Sequence, residues 1–161
     1  MLKRFLVLAA GILLGCALSN AADLGNLARQ PMPHGSWHMY QISIPKTDSA
    51  ALATQNHVIF VAPAGGVLWG VRYVSDADVT GQDTNTRRLV LYDGSTALDS
   101  VSLVSGTDLT AGTIYSLYDK TGSTPRALSR GDVLYLYNKK VGNGMLTPRF
   151  LIQVFFEPRT P

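Results

Sequence analysis

Three carboxylates stand within eight residues, in the run Asp76-Ala77-Asp78-Val79-Thr80-Gly81-Gln82-Asp83. Such spacing suits a calcium loop, because a hard cation takes several oxygen ligands from one tight turn. In an EF-hand register Asp76 and Asp78 take the first and third positions and Gly81 the sixth. The twelfth is then Arg87, where a bidentate Glu is required, and no helical pattern flanks the run. A polar loop between strands explains these residues more simply, and a non-EF calcium loop through Asp76, Asp78 and Asp83 is the metal chemistry left to test.

Other chemical constellations are weaker. Arg130-Gly131-Asp132 spells an adhesion tripeptide, yet it runs straight into Val133-Leu134-Tyr135, which suits a Gly-Asp turn launching a strand. His34 and His38 would share a face only on a helix, and Pro33 and Gly35 argue against one. Glu157 is the sole Glu and stands beside Pro158. No Gly-x-Ser-x-Gly elbow, phosphate loop or dinucleotide fingerprint occurs, so neither an enzyme nor a cofactor is expected. A Ser/His/Asp set assembled in space, in a small hydrolase or a lectin, is a lesser alternative.

The elements that would position these residues are β-strands. The chain has 161 residues, 46% hydrophobic and 16% charged, which suits one globular domain and not a disordered chain. Ten Asp stand against one Glu, five Lys against nine Arg, and Gly and Pro are abundant. Glu and Lys build helices while Asp and Gly build turns, so a helical bundle is excluded. A single Cys excludes an intramolecular disulfide framework.

The first 36 residues read differently from the rest. Met1–Arg4 is positive, Phe5–Gly15 is apolar, and Ser19-Asn20-Ala21 is small, the layout of a signal peptide cut after Ala21. Leu13-Leu14-Gly15-Cys16 resembles a lipobox, which would make Cys16 a lipidation site. As an anchor, a helix from Phe5 to Ser19 spans roughly 22 Å against a bilayer core of about 30 Å. The fourth alternative is an arm that buries Phe5, Leu6, Leu8, Ile12, Leu13, Leu14, Leu18, Leu24 and Leu27 against another protein. Residues 22–36 carry Pro31 and Pro33 and read as an extended linker. Without the leader the formal charge falls from +3 to +1, so nucleic acid is not an expected partner.

From Trp37 onward, β-type runs alternate with turn clusters. Trp37–Ile44 puts Tyr40, Ile42 and Ile44 on one face. His57–Ala62 is apolar on both faces, as a central strand would be. Val67–Val74 alternates Val67, Trp69, Val71 and Tyr73 against Leu68, Gly70, Arg72 and Val74. Arg87–Tyr92, Leu98–Val104, Ala127–Ser129, Val133–Tyr137 and Phe150–Phe156 follow, while Asp108–Tyr118 is ambiguous and would hold a helical turn capped by Asp108. The aromatics read as core packing, and Arg87-Arg88 and Lys139-Lys140 each point to opposite faces, so neither pair makes a patch alone. The expected fold is all-β: one antiparallel sandwich of about eight strands over 37–161, behind an apolar segment (1–21) and an arm (22–36).

The stretch from Asn56 to Pro158 resembles a jelly-roll family found among virion proteins of tailed bacteriophages, in particular head decoration or cement proteins. The likeness rests on Ala62-Pro63-Ala64-Gly65-Gly66, Val67 to Val74, Asp78 to Asn85, and Arg87-Arg88-Leu89-Val90-Leu91. It continues in Arg130-Gly131-Asp132-Val133-Leu134 and Val141-Gly142-Asn143-Gly144-Met145, and covers about two-thirds of the chain. The resemblance implies a non-enzymatic protein on a capsid, bound to the major capsid protein and to copies of itself, often as a homotrimer, through an N-terminal arm. The signal-like leader departs from that pattern. It keeps an exported surface or periplasmic binding module, with a membrane contact only if the leader is an anchor, as the alternative.

Overall fold

Nine strands and no helix make up the described residues of the computed structural model, which are 37–49, 53–119 and 125–159. The strands are β1 (His38–Ile44), β2 (Gln55–Val61), β3 (Gly66–Ser75), β4 (Thr86–Asp93), β5 (Thr96–Ser102), β6 (Ile114–Asp119), β7 (Arg126–Leu128), β8 (Val133–Val141) and β9 (Phe150–Pro158). They belong to one compact unit, Ser36–Pro161.

Two antiparallel sheets face each other, one ordered β1-β9-β3-β6 and the other β2-β8-β4-β5. The short β7 pairs with Gly66–Leu68 of β3, and β6 pairs with Gly70–Val74 of the same strand. The two therefore act as one interrupted strand. Eight strand positions in this order, with the chain crossing repeatedly between sheets, are the wiring of a jelly roll.

The core forms where the inward rows meet. Phe150, Ile152, Val154 and Phe156 of β9 are all fully buried, as their alternation predicts, and face Leu89, Leu91, Leu134 and Leu136 from the other sheet. Along β3 the expected alternation breaks at a bulge between Leu68 and Gly70. Trp69 is the extra residue, so Leu68, Val71 and Tyr73 all point inward and Arg72 outward.

Three expectations need correction. His57–Ala62 is not a central strand: β2 is the edge of its sheet, and Val58 and Val61 stay 49% and 53% exposed. Apolar residues on both faces marked an exposed outer face here, because in a sandwich even a central strand has solvent on one side. Asp108 caps no helix. Its Oδ1 accepts from the Gly81 backbone N at 2.9 Å, and the segment after it becomes β6. The aromatics are also not all core, as the outer face of the second sheet shows below.

The loops after β1, β3, β5 and β8 gather at one end. Thr47 N donates to Thr147 O, Asp76 N to Arg149 O, and Val79 and Leu109 exchange backbone bonds, which ties the loops in pairs. Gly142 turns the chain after β8 with a φ of +61°, and a Cβ there would lie 2.1 Å from Thr84 O. Only glycine fits that approach.

Candidate functional site

At the loop end the calcium candidates are placed on separate tasks. Asp76 Oδ2 pairs with Arg149 Nε at 3.2 Å, Asp78 Oδ1 accepts from Ala111 N at 2.7 Å, and Asp83 Oδ1 accepts from Ser105 N at 2.9 Å. Each short carboxylate satisfies a backbone donor or cation across neighbouring loops. Among the described residues no three His, Cys, Asp or Glu side chains converge on a metal-sized site. A groove of about 710 Å³ opens beside them, lined by Lys46, Asp48, Asp78, Gln82, Met145 and Leu146 among others.

Beneath this end lies a polar cluster inside the sandwich. Arg87 is fully buried, and its guanidinium donates to the carbonyls of Met145 (3.2 Å), Asn138 (3.4 Å), Ala53 (3.5 Å) and Ser49 (3.5 Å). Desolvation by burial lowers its pKa. Asn138 Nδ2 donates to Thr147 Oγ1 at 3.2 Å, and Thr147 N donates to Thr47 Oγ1 at 2.7 Å. Arg87 thus clamps the β1–β2 and β8–β9 loops onto the sheet, a structural task that its place in the sequence did not reveal.

The remaining sequence candidates have ordinary roles. Gly131 has a φ of +91°, its N donates to Ala62 O, and Asp132 Oδ2 accepts from Ser129 N at 2.7 Å. Arg130-Gly131-Asp132 is thus the turn that launches β8. Glu157 Oε2 accepts from the Trp69 indole at 2.6 Å, tying the bulge of β3 to β9. His38 lies exposed on β1, while His34, Cys16 and the arm residues Phe5, Leu6, Leu8, Ile12, Leu13, Leu14, Leu18, Leu24 and Leu27 lie outside the described residues. No helix among the described residues is long and apolar enough to cross a membrane.

Sequence reasoning missed the outer face of the β2-β8-β4-β5 sheet. Outward positions bring together Val58 of β2, Tyr135, Tyr137 and Lys139 of β8, and Arg88 and Tyr92 of β4. Tyr92 and Tyr137 rings lie 4.7 Å apart, and Tyr135 and Tyr137 rings 6.5 Å apart. These three tyrosines are half-buried on a solvent face, which corrects the assignment of the aromatics to the core. Lys139 Nζ lies 5.1 Å from the Tyr92 ring centre and 5.7 Å from that of Tyr137, and it donates to Tyr92 Oη at 2.8 Å.

Arg88 and Lys139 are direct register partners, and Arg87 pairs with Lys140 on the opposite face. The two basic dipeptides, each split between faces, therefore recombine across the ladder. Arg88 Nε and Nη2 donate to Ser100 Oγ at 3.2 and 2.7 Å, a neutral partner. Only the strand register could have disclosed this patch, because about 50 residues separate the two dipeptides and no local pattern links them.

The outer face of the other sheet is apolar too. Trp37 and the Arg72 guanidinium cover Phe155, at 5.7 Å and 5.0 Å, while Met39, Ile114 and Leu151 remain exposed. Both sheet surfaces therefore offer apolar contact area.

No protein-family model matches the chain, and no curated protein matches it. Two solved structures resemble it. One is a chain of the "Cyanophage Pam1 capsid asymmetric unit", 16% identical over 81% of this chain and 94% of that one, with a TM-score of 0.45. The other is from "The Structure of Tomato Aspermy Virus by X-Ray Crystallography", 9% identical over 90% and 95%, with a TM-score of 0.41. Both TM-scores fall below 0.5, so function has to be argued from the chain itself.

Proposed function

We propose that this chain is a non-enzymatic virion structural protein that decorates or cements a phage capsid through protein–protein contacts. The observation that carries the reading is a jelly-roll sandwich with apolar side chains left outside on both of its neighbouring edge strands. Met39 and Tyr40 of β1 and Val58 and Val61 of β2 are exposed, and in sequence β1 follows on the apolar segment (1–21) and the arm (22–36). Exposed apolar area of this kind marks an association surface. Jelly rolls serve capsids, lectins and cupins alike, so the fold alone does not choose among them. The sequence resemblance to decoration proteins favours the capsid use. The partners are then the major capsid protein and copies of the chain itself, and the location is the capsid surface.

The physical logic is a division of labour. A sandwich with a packed core supplies rigidity, and its edges, faces and terminal arm supply contacts without weakening that core. Apolar arm residues such as Leu13 and Leu14 would each contribute at about 25 cal/mol per Å² buried, less the cost of ordering the arm.

Particles purified with and without the protein test this reading. Stoichiometric occupancy and a higher temperature of particle disruption are expected, and absence from the particle would sink it. The exported alternative rests on residues 1–21, and an intact mass of the native protein separates the two. A start at Met1 supports the arm, whereas a start at Ala22 or a lipidated Cys16 supports export.

A further inference from the structure

We infer that the tyrosine face of the β2-β8-β4-β5 sheet, centred on Arg88 and Lys139, is a docking surface for the acidic loop end of a second copy of this chain. The inference deepens the self-association in the capsid reading and depends on that reading only for its biological setting.

Its first support is the cation pair. Arg88 and Lys139 stand directly opposite each other across the ladder, an arrangement that costs stability because like charges face each other. Among the described residues neither has a carboxylate partner: Arg88 bonds to the Ser100 hydroxyl and Lys139 to the Tyr92 hydroxyl. No Asp or Glu occupies an outward position of this face. A carboxylate placed between the two cations would relieve their repulsion and accept from the Arg88 fork. Tyr92, Tyr135, Tyr137 and exposed Val58 surround the pair with amphipathic and apolar area, the composition of an interface centre.

The second support is the charge of the loop end. Asp48, Asp76, Asp78, Asp83 and Asp108 are all exposed there, against Lys46 and Arg149. Asp76 is paired with Arg149, and Asp78, Asp83 and Asp108 each accept a backbone N–H through Oδ1, from Ala111, Ser105 and Gly81 respectively, which leaves their Oδ2 atoms to face outward contacts. Asp48 and Asp78 stand on the groove rim beside Leu146, which is 57% exposed. Loops projecting from one end can approach a sheet face of another copy, and the two surfaces carry opposite charge. The tilted tyrosine rings do not form one flat plane, which favours a protein partner over a stacked sugar. Because the two patches differ, the contact is heterologous, and copies repeat it head to face until a ring closes.

Sedimentation of the full-length chain tests the contact. Association is expected to weaken at least about tenfold between about 50 mM and about 500 mM salt. The double variant Arg88→Glu/Lys139→Glu should be monomeric where wild type associates, as should Asp48→Lys/Asp78→Asn. An equimolar mixture of the two should associate again, because each then supplies the charge the other lacks. The neutral variant Arg88→Gln/Lys139→Gln, checked for an unchanged far-UV spectrum, should lose about tenfold in affinity and guards against misfolding. Wild-type-like association of the Glu double variant, or a wild-type monomer at about 100 μM, would overturn the inference. A monomer that still occupies particles leaves the capsid reading standing, whereas an oligomer never found on particles leaves only the contact.

Discussion

Arg87 shows how much one side chain can organise in this fold. It is the largest fully buried side chain among the described residues, and it holds carbonyls from two loops and a neighbouring strand. Replacing it by Met leaves those carbonyls facing an apolar interior, at about 1–3 kcal/mol for each buried group that stays unsatisfied. Arg87→Met is therefore expected to lower stability by about 2–4 kcal/mol in urea unfolding. Arg88→Ala, on the solvent side of the same dipeptide, should change it by about 0.5 kcal/mol or less. His57 adds a pH dependence. Burial holds its pKa below the usual 6.5, and its Nε2 has no hydrogen-bond partner among the described residues. The unfolded chain then binds the proton more readily than the folded one, so stability is full above pH 6.5 and falls as pH drops below it. Thermal midpoints of wild type and His57→Gln, compared from pH 8 down to about pH 5, should show a shallower acid loss in the variant.

At the scale of elements, the strands were legible because their inward rows are regular. Phe150, Ile152, Val154 and Phe156 announce β9 at a period of two, and all four are buried. The bulge at Trp69 was not legible, since nothing in Val67–Val74 marks which residue the ladder skips. Nor was the edge position of β2, because an apolar outer face reads the same in a central strand as in a strand awaiting a partner. That edge yields a prediction. Val58→Lys and Val61→Lys point into solvent and should change the unfolding free energy by no more than about 0.5 kcal/mol. Light scattering of concentrated protein should show less aggregation, as charge on an open edge blocks strand pairing. The loop end is stricter. Gly142→Ala combines a positive φ with a 2.1 Å approach to Thr84 O, and it should lower the thermal midpoint by several degrees.

For the whole molecule, the sandwich and the segment before it make separable contributions. A chain beginning at residue 37 is expected to unfold cooperatively with an all-β circular dichroism spectrum, since the nine strands and their core lie within 37–158. The same truncation should abolish stoichiometric binding to particles if the apolar arm is the anchor, measured by co-sedimentation. Retained binding would move the anchor to the sheet faces and edges.

The scarcity of Glu and Lys and the two-residue rhythm after Trp37 determined an all-β sandwich, because propensity and alternation are local properties of a chain. The Asp-rich turns were readable in part: Asp78, Asp83 and Asp132 each accept from a backbone N–H of a loop, whereas Asp108, expected to cap a helical turn, accepts from Gly81 N of another loop. Tertiary structure alone decided which strands became neighbours. It set Arg88 against Lys139, turned three tyrosines outward and closed loops around a buried Arg87. Register between distant strands follows from the packing of the entire sandwich, and no short window of sequence contains it.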